Sequence, residues 1–212
     1  SSAEYPSVAL VTEEGVLVHS EVGDAVQSHA ELLPMMVQRA VSIANGEQGI
    51  SAVGFHEGPG SYTGLRIGVS LAKGLCYGLS VPLISVSGFV SLAMVALEKH
   101  PTCSEAWVMM DARRDEVYAL QVMREGGAVG RVKPEILPSE RVVGYGSHTV
   151  FAGNANEKVK RLLLAEDSVF WDESPRASHM LGMAVESFQR GEFVDLAYYE
   201  PFYLKDFVAV SR

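Results

Sequence analysis

Two hydrophobic periods alternate along this chain, and the switches between them mark its elements. In "SVALVTEEGVLVHSEV", two strand-like runs, Val8 to Val11 and Val16 to Val18, flank Glu13-Glu14-Gly15. That pattern predicts a β-hairpin. In "SHAELLPMMVQRAVSIANG" the period changes: Leu33, Met36, Val37, Ala40, Val41 and Ala44 recur at helical spacing. Ser28 and Glu31 have the spacing of a capping box, Pro34 is expected to bend the helix start, and Gly46 to end it. "ISAVGF" reads as a buried strand. After it, "GPGSYTG" opens a second helix whose Leu65, Val69, Ala72, Leu75, Cys76 and Leu79 form one apolar stripe. "PLISV" predicts a strand, and residues 87–100 a third helix.

Composition shifts at "HPTCSE". "AWVMMDARRDEVYALQVM" then reads as two strands around Arg113-Arg114-Asp115, and residues 126–138 as loop. "TVFAGN" and "SVFWD" predict further strands, residues 157–164 and 179–190 helices, and "YYEPFYLKDFVAVSR" an extended aromatic tail. Strands alternating with helices, with antiparallel hairpins added, make an α/β chain. Its halves are expected at 1–103 and 104–212, with the tail returning to the first.

Composition then narrows the class. The 212 residues are enough for one large or two small domains with real cores. No apolar run has the length of a membrane span, and no secretory signal opens the chain, so a cytoplasmic location is expected. Cys76 and Cys103 fit no zinc or redox spacing and read as buried thiols. The net charge of −9 gives such a chain no gain from phosphate neutralisation. Any nucleic acid it serves is expected to be held by a partner.

The glycine loop admits two readings. A Gly-rich strand-to-helix turn can present backbone N–H groups to a phosphate, which makes Gly58, Gly60 and Ser61 weak cofactor-binding candidates. The P-loop, dinucleotide and nucleophile-elbow patterns all fail here, and a tight turn capped by Ser61 or Thr63 explains the loop without a ligand. The helix behind it carries Gly64, Gly68 and Ala72 four apart, with Gly74 and Gly78 repeating the pattern. Each glycine costs a helix interior about 1 kcal/mol against alanine. The missing side chains admit a close neighbour, either the chain's own sheet or a partner helix. Arg66, Ser70, Lys73 and Tyr77 make a more polar face. The histidines are too far apart in sequence to form an H-x-x-x-H pair. Asp111, Arg113, Asp115 and Glu116 crowd one hairpin and read as solvated turn charges. No catalytic or metal residue is assigned.

Four blocks, taken together, carry a resemblance. "GPGSYTGLRIG", "SHAELLPMM", "DARRDEVY" and "EPFYLKDFVA" resemble, in family order, signatures of the TsaB (YeaZ) family. The resemblance implies a two-lobed, actin-like (ASKHA-type) fold with mixed sheets flanked by helices. It also implies a non-catalytic dimerisation subunit of the bacterial machinery that places threonylcarbamoyl on the tRNA adenosine beside the anticodon. A TsaD-like large subunit and a TsaE-like ATPase are the implied partners, with ATP and metal on those subunits, tRNA bound only through the complex, and a homodimer when alone. Pairing through the first two helices makes Leu33, Met36, Ala40, Gly64, Gly68 and Ala72 the expected partner interface. The rival functions are an actin-like nucleotide-binding ATPase and a glycoprotease-like peptidase. Two departures stand out. Family members begin with a strand of type L-x-I-D-T-S whereas this sequence opens at "SSAEYPSVAL", so residues before Ser1 are expected, and Asp115 stands where Gly is common.

Overall fold

The structure, a computed structural model, describes residues 5–24, 29–46, 49–112, 116–136, 148–162 and 168–204. It divides into two compact units, Ser1–Gly88 with Arg176–Arg212, and Phe89–Pro175. The first unit opens with the hairpin, β1 (Ser7–Val11) antiparallel to β2 (Leu17–Val22). Helix α1 (His29–Asn45) follows and includes Pro34. The Ser28 capping position lies outside the described residues. Strands β3 (Val53–His56) and β4 (Leu83–Val86) pair in parallel, joined by the crossover helix α2 (Tyr62–Leu79).

Alternation along β4 sends its side chains to two layers. Leu83 packs with Phe55, Val69, Ala72 and Cys76 under α2. Ile84 and Val86 pack with Met180 on the other face, against Met183, Ala184 and Phe188. Those last residues come from a 3₁₀ turn (Ala177–Met180) and helix α5 (Leu181–Arg190), the segment that returns to this unit from the far end of the sequence. Among the described residues β1–β2 and β3–β4 are separate two-stranded sheets.

The second unit is built on a five-stranded sheet, β7-β6-β5-β8-β9. Its strands are β5 (Glu105–Asp111), β6 (Glu116–Met123), β7 (Gly127–Ile136), β8 (Thr149–Ala152) and β9 (Val169–Trp171). β5, β6 and β7 form an antiparallel meander, and β8 and β9 extend it in parallel. One sheet face is covered by Phe89, Leu92, Ala93, Ala96 and Leu97 of α3 (Gly88–Lys99). The other holds Met109, Val117, Ala119 and Phe151 against Ala155 and Val159, the latter on α4 (Asn156–Leu162). No helix among the described residues is long and apolar enough to cross a membrane.

Two readings of the sequence change here. The composition break near residue 103 falls inside the second unit, because α3 buries its apolar stripe on that unit's sheet. The division instead follows Gly88, and residues 176 onward belong to the first unit. The stretch 126–138, expected as loop, supplies β7. It is an edge strand that buries only Val132, so it shows no hydrophobic alternation. Pro134 is tolerated in an edge position. The turn at 113–115 lies outside the described residues.

Gly153, after β8, has φ +126, and a Cβ there would lie 2.0 Å from the Met109 carbonyl oxygen. Strain and a backbone clash act together at this position. Gly153→Ala is expected to destabilise the protein by roughly 3 kcal/mol. Urea unfolding checks this, and a loss below about 1 kcal/mol would contradict the packing described.

Candidate functional site: the glycine loop and the two helices

The loop lies at the carboxyl end of the parallel β3–β4 pair, where α/β sheets bind their ligands. Its residues are held from within the chain. His56 is partly buried at the end of β3, and its Nδ1 accepts the N–H of Gly58 at 3.3 Å and of Gly88 at 3.1 Å. A Cβ at Gly88 would lie 2.8 Å from the imidazole, so ring and backbone fit without spare room. Ser61 is the N-cap of α2, its Oγ accepting the Gly64 N–H at 3.4 Å; the capping alternative at Thr63 is not the one used. Glu57 accepts a hydrogen bond from Ser85 Oγ at 3.0 Å, and Ser85 Oγ meets the Tyr199 hydroxyl at 2.7 Å.

The tail completes the loop. The Phe202 N–H donates to the Glu57 carbonyl at 2.7 Å. Gly58 has φ +107, and a Cβ there would sit 2.5 Å from the Phe202 carbonyl oxygen. A backbone acceptor therefore stands where a phosphate would approach Gly58. Of the three weak candidates, Gly58 and Ser61 have their N–H and hydroxyl engaged within the chain, and Gly60 forms the bend between them.

The six expected interface residues are mostly turned inward. Leu33, Met36 and Ala40 on α1 are buried, as are Gly64 and Ala72 on α2, while Gly68 is half-buried. α1 packs on β1 and on α2. The outer side of the same helices carries other residues. Met35 and Ile43 are exposed on α1, at helical spacing. On α2, Tyr77 is 82% exposed, and a Cβ added at Gly74 or Gly78 would meet nothing within 4 Å. Gly64 is buried and Gly68 half-buried. Gly74 and Gly78 leave a bare strip beside an exposed tyrosine. Periodicity alone does not show which side of a small-residue ladder faces out.

The remaining titratable groups read as structural. Burial pushes the Cys76 thiol up to about 11 and raises that of Cys103, which keeps both protonated and unreactive. Asp111 is paired with Lys158 at 2.6 Å, and its hairpin neighbours Arg113 and Asp115 lie outside the described residues. Among the described residues, no three His, Cys, Asp or Glu side chains converge on a metal position.

Burial lowers the His56 pKa to about 4, against an unfolded value near 6.5. The folded state thus favours the neutral ring, whose Nδ1 lone pair the two N–H groups require. The stability linked to this group is fully present above pH about 6.5 and is lost as pH falls toward about 4, up to on the order of 3 kcal/mol. His56→Gln keeps an acceptor without the titration and should flatten that acid dependence. Thermal melts across this window check it, and parallel pH profiles of the two proteins would contradict it.

Comparison with known proteins places this arrangement. Residues 18–198 match the family model described as TsaD, tRNA N6-adenosine threonylcarbamoyltransferase. The tRNA threonylcarbamoyladenosine biosynthesis protein TsaB of Escherichia coli is 30% identical over an alignment covering 100% of this chain and 95% of that protein. The TsaB protein of Haemophilus influenzae is 35% identical over 59% of this chain and 52% of its own length. Two solved structures from Pseudomonas aeruginosa superpose with TM-scores of 0.79 and 0.77, each 28% identical and covering 96% of both chains. One is described as YeaZ, the other as an uncharacterized protein with similarity to peptidase YEAZ. These likenesses in sequence and fold show that the chain belongs to the TsaB (YeaZ) family.

Proposed function

We propose that this chain is the scaffold and dimerisation subunit that supports a TsaD-type subunit in transferring threonylcarbamoyl to the tRNA adenosine next to the anticodon, and that it performs no chemistry itself. The observation that carries this reading, together with the TsaB relatives, is the outer strip of α2. Gly74 and Gly78 weaken an exposed helix, and a Cβ at either would meet nothing within 4 Å among the described residues. A partner helix approaching closely gives their small size a purpose. Met35, Ile43 and Tyr77 supply apolar surface for the same contact. The interface expected at Leu33, Met36, Ala40, Gly64, Gly68 and Ala72 then shifts to the outer side of the same two helices, with the inner six as its support. The partner is a TsaD-like subunit in the working complex, with a TsaE-like ATPase joining it, and a second copy of this chain when alone.

The peptidase reading draws on the description of one structural neighbour. Both thiols are held protonated by burial, and the Nδ1 that would make His56 a base is taken by backbone N–H groups. Both observations favour the scaffold. The ATPase reading draws on the fold. Against it, Phe202 and His56 hold the glycine loop. ATP and metal are accordingly assigned to the partner subunits, and tRNA to the assembled complex.

Gly74→Leu separates the seam from the fold. The helix gains up to about 1 kcal/mol of propensity, so the melting temperature should hold or rise, while binding to a TsaD-type subunit weakens by at least about tenfold. Calorimetry with melting curves beside it reads both. Unchanged binding by the folded variant would remove α2 from the interface. Millimolar ATP with magnesium should leave the melting temperature of the isolated chain unmoved. A rise of the kind mass action gives would restore the nucleotide site.

A further inference from the structure

The tail does more than end the chain. Residues 194–203 form no helix or strand beyond a single bridge at Val194, yet they touch β4, the glycine loop and α2. Val194 N–H donates to the Leu83 carbonyl at 3.0 Å. Leu196 and Tyr199 pack on the core under α2, and the Tyr199 ring meets Phe55 edge-on at 5.3 Å. The Tyr199 hydroxyl reaches Glu57 through Ser85. Phe202 bonds the loop backbone. Tyr203 then lies against Tyr62, ring centroids 5.0 Å apart, and Tyr62 in turn carries the Arg66 guanidinium at 4.4 Å. Further along α2, Lys73 Nζ donates to the Ala197 carbonyl at 3.3 Å.

Both cations of the polar face of α2, Arg66 and Lys73, are thus positioned by the tail, directly or through Tyr62. That face adjoins the bare strip at Gly74, Tyr77 and Gly78. The attachment combines partly buried anchors, Val194, Leu196 and Tyr199, with a few hydrogen bonds, and exposed residues stand between them: Tyr198 is 86% exposed and Phe202 38%. Segments held in this way open at the low end of a protein's stability range.

We propose that residues 194–203 form a clasp coupled to the outer face of α2: its closure orders that face for the partner, and covering the face holds the clasp shut. The coupling rests on the partner reading above; the clasp itself rests only on the contacts within this unit. Such linkage is reciprocal, so each event favours the other by the same factor.

The test uses the full chain and the double variant Tyr199→Phe/Tyr203→Ala, with hydrogen exchange and binding to a TsaD-type subunit measured on both. Amides of residues 57–66 are expected to exchange about tenfold faster in the variant, while those of the second unit are unchanged. Binding should weaken by about the same factor, and partner binding to the unsubstituted chain should slow exchange across 194–203. Unchanged exchange at 57–66 overturns the clasp. Faster exchange with undiminished binding overturns its coupling to the interface. Should the unsubstituted chain itself fail to bind, the partner reading falls and the coupling with it, while exchange at 57–66 decides the clasp. Tyr199→Phe alone, which removes one hydroxyl, keeps the test readable should the double variant not fold.

Discussion

The arrangement of the glycine loop depends on one unprotonated nitrogen. His56 Nδ1 accepts two backbone N–H groups, one from the loop that leads into α2 and one from Gly88 just past β4. These are the carboxyl ends of two parallel strands, where backbone groups leave the ladder and need new partners. A partly buried imidazole meets both needs with one atom, provided it is neutral. Its low pKa follows from the same burial that makes the arrangement rigid. The residue looks like a catalytic base by location and acts as a strut by connectivity.

The tail extends this logic to the other side of the loop. A Gly-rich strand-to-helix turn ordinarily leaves N–H groups for an anion. Here a backbone carbonyl from Phe202 approaches Gly58 so closely that only glycine fits. The glycine that a phosphate-binding loop would need for the ligand is used for the chain's own backbone. Small residues on α2 divide in the same manner. Gly64 and Ala72 admit the interior, whereas Gly74 and Gly78 open outward.

Elements with strong periodicity were legible in the sequence, and those governed by long-range contact were not. The hairpin, α1, α2 and the parallel pair announced themselves by apolar spacing. β7 did not, since Val132 alone is buried on it, and an exposed edge looks like loop. The six interface residues were chosen as an apolar and small-residue pattern, which is also the pattern of a buried face. A helix that packs on both a sheet and a partner has two such faces, and sequence spacing cannot rank them. The Phe202 contact with the glycine loop leaves no local signature beyond an aromatic tail.

Charge supports the scaffold reading at a level that the loop does not. The chain carries 17 basic residues against 26 acidic ones, and several of the basic groups are engaged internally. Arg39 forks onto Glu21. Lys158 pairs with Asp111, Lys160 with Glu157 and Asp172, and Arg190 with Glu186. Arg124 donates to the carbonyls of Leu97, His100 and Cys103. Each exposed pair contributes little to stability in screening solvent, so stability alone does not account for the pattern. Its larger effect is on the surface field. A phosphate backbone approaching this chain meets an excess of carboxylates and cations already neutralised nearby, so it releases few counterions and gains little affinity. That physics agrees with the proposed scaffold role, in which the partner rather than this chain carries the RNA.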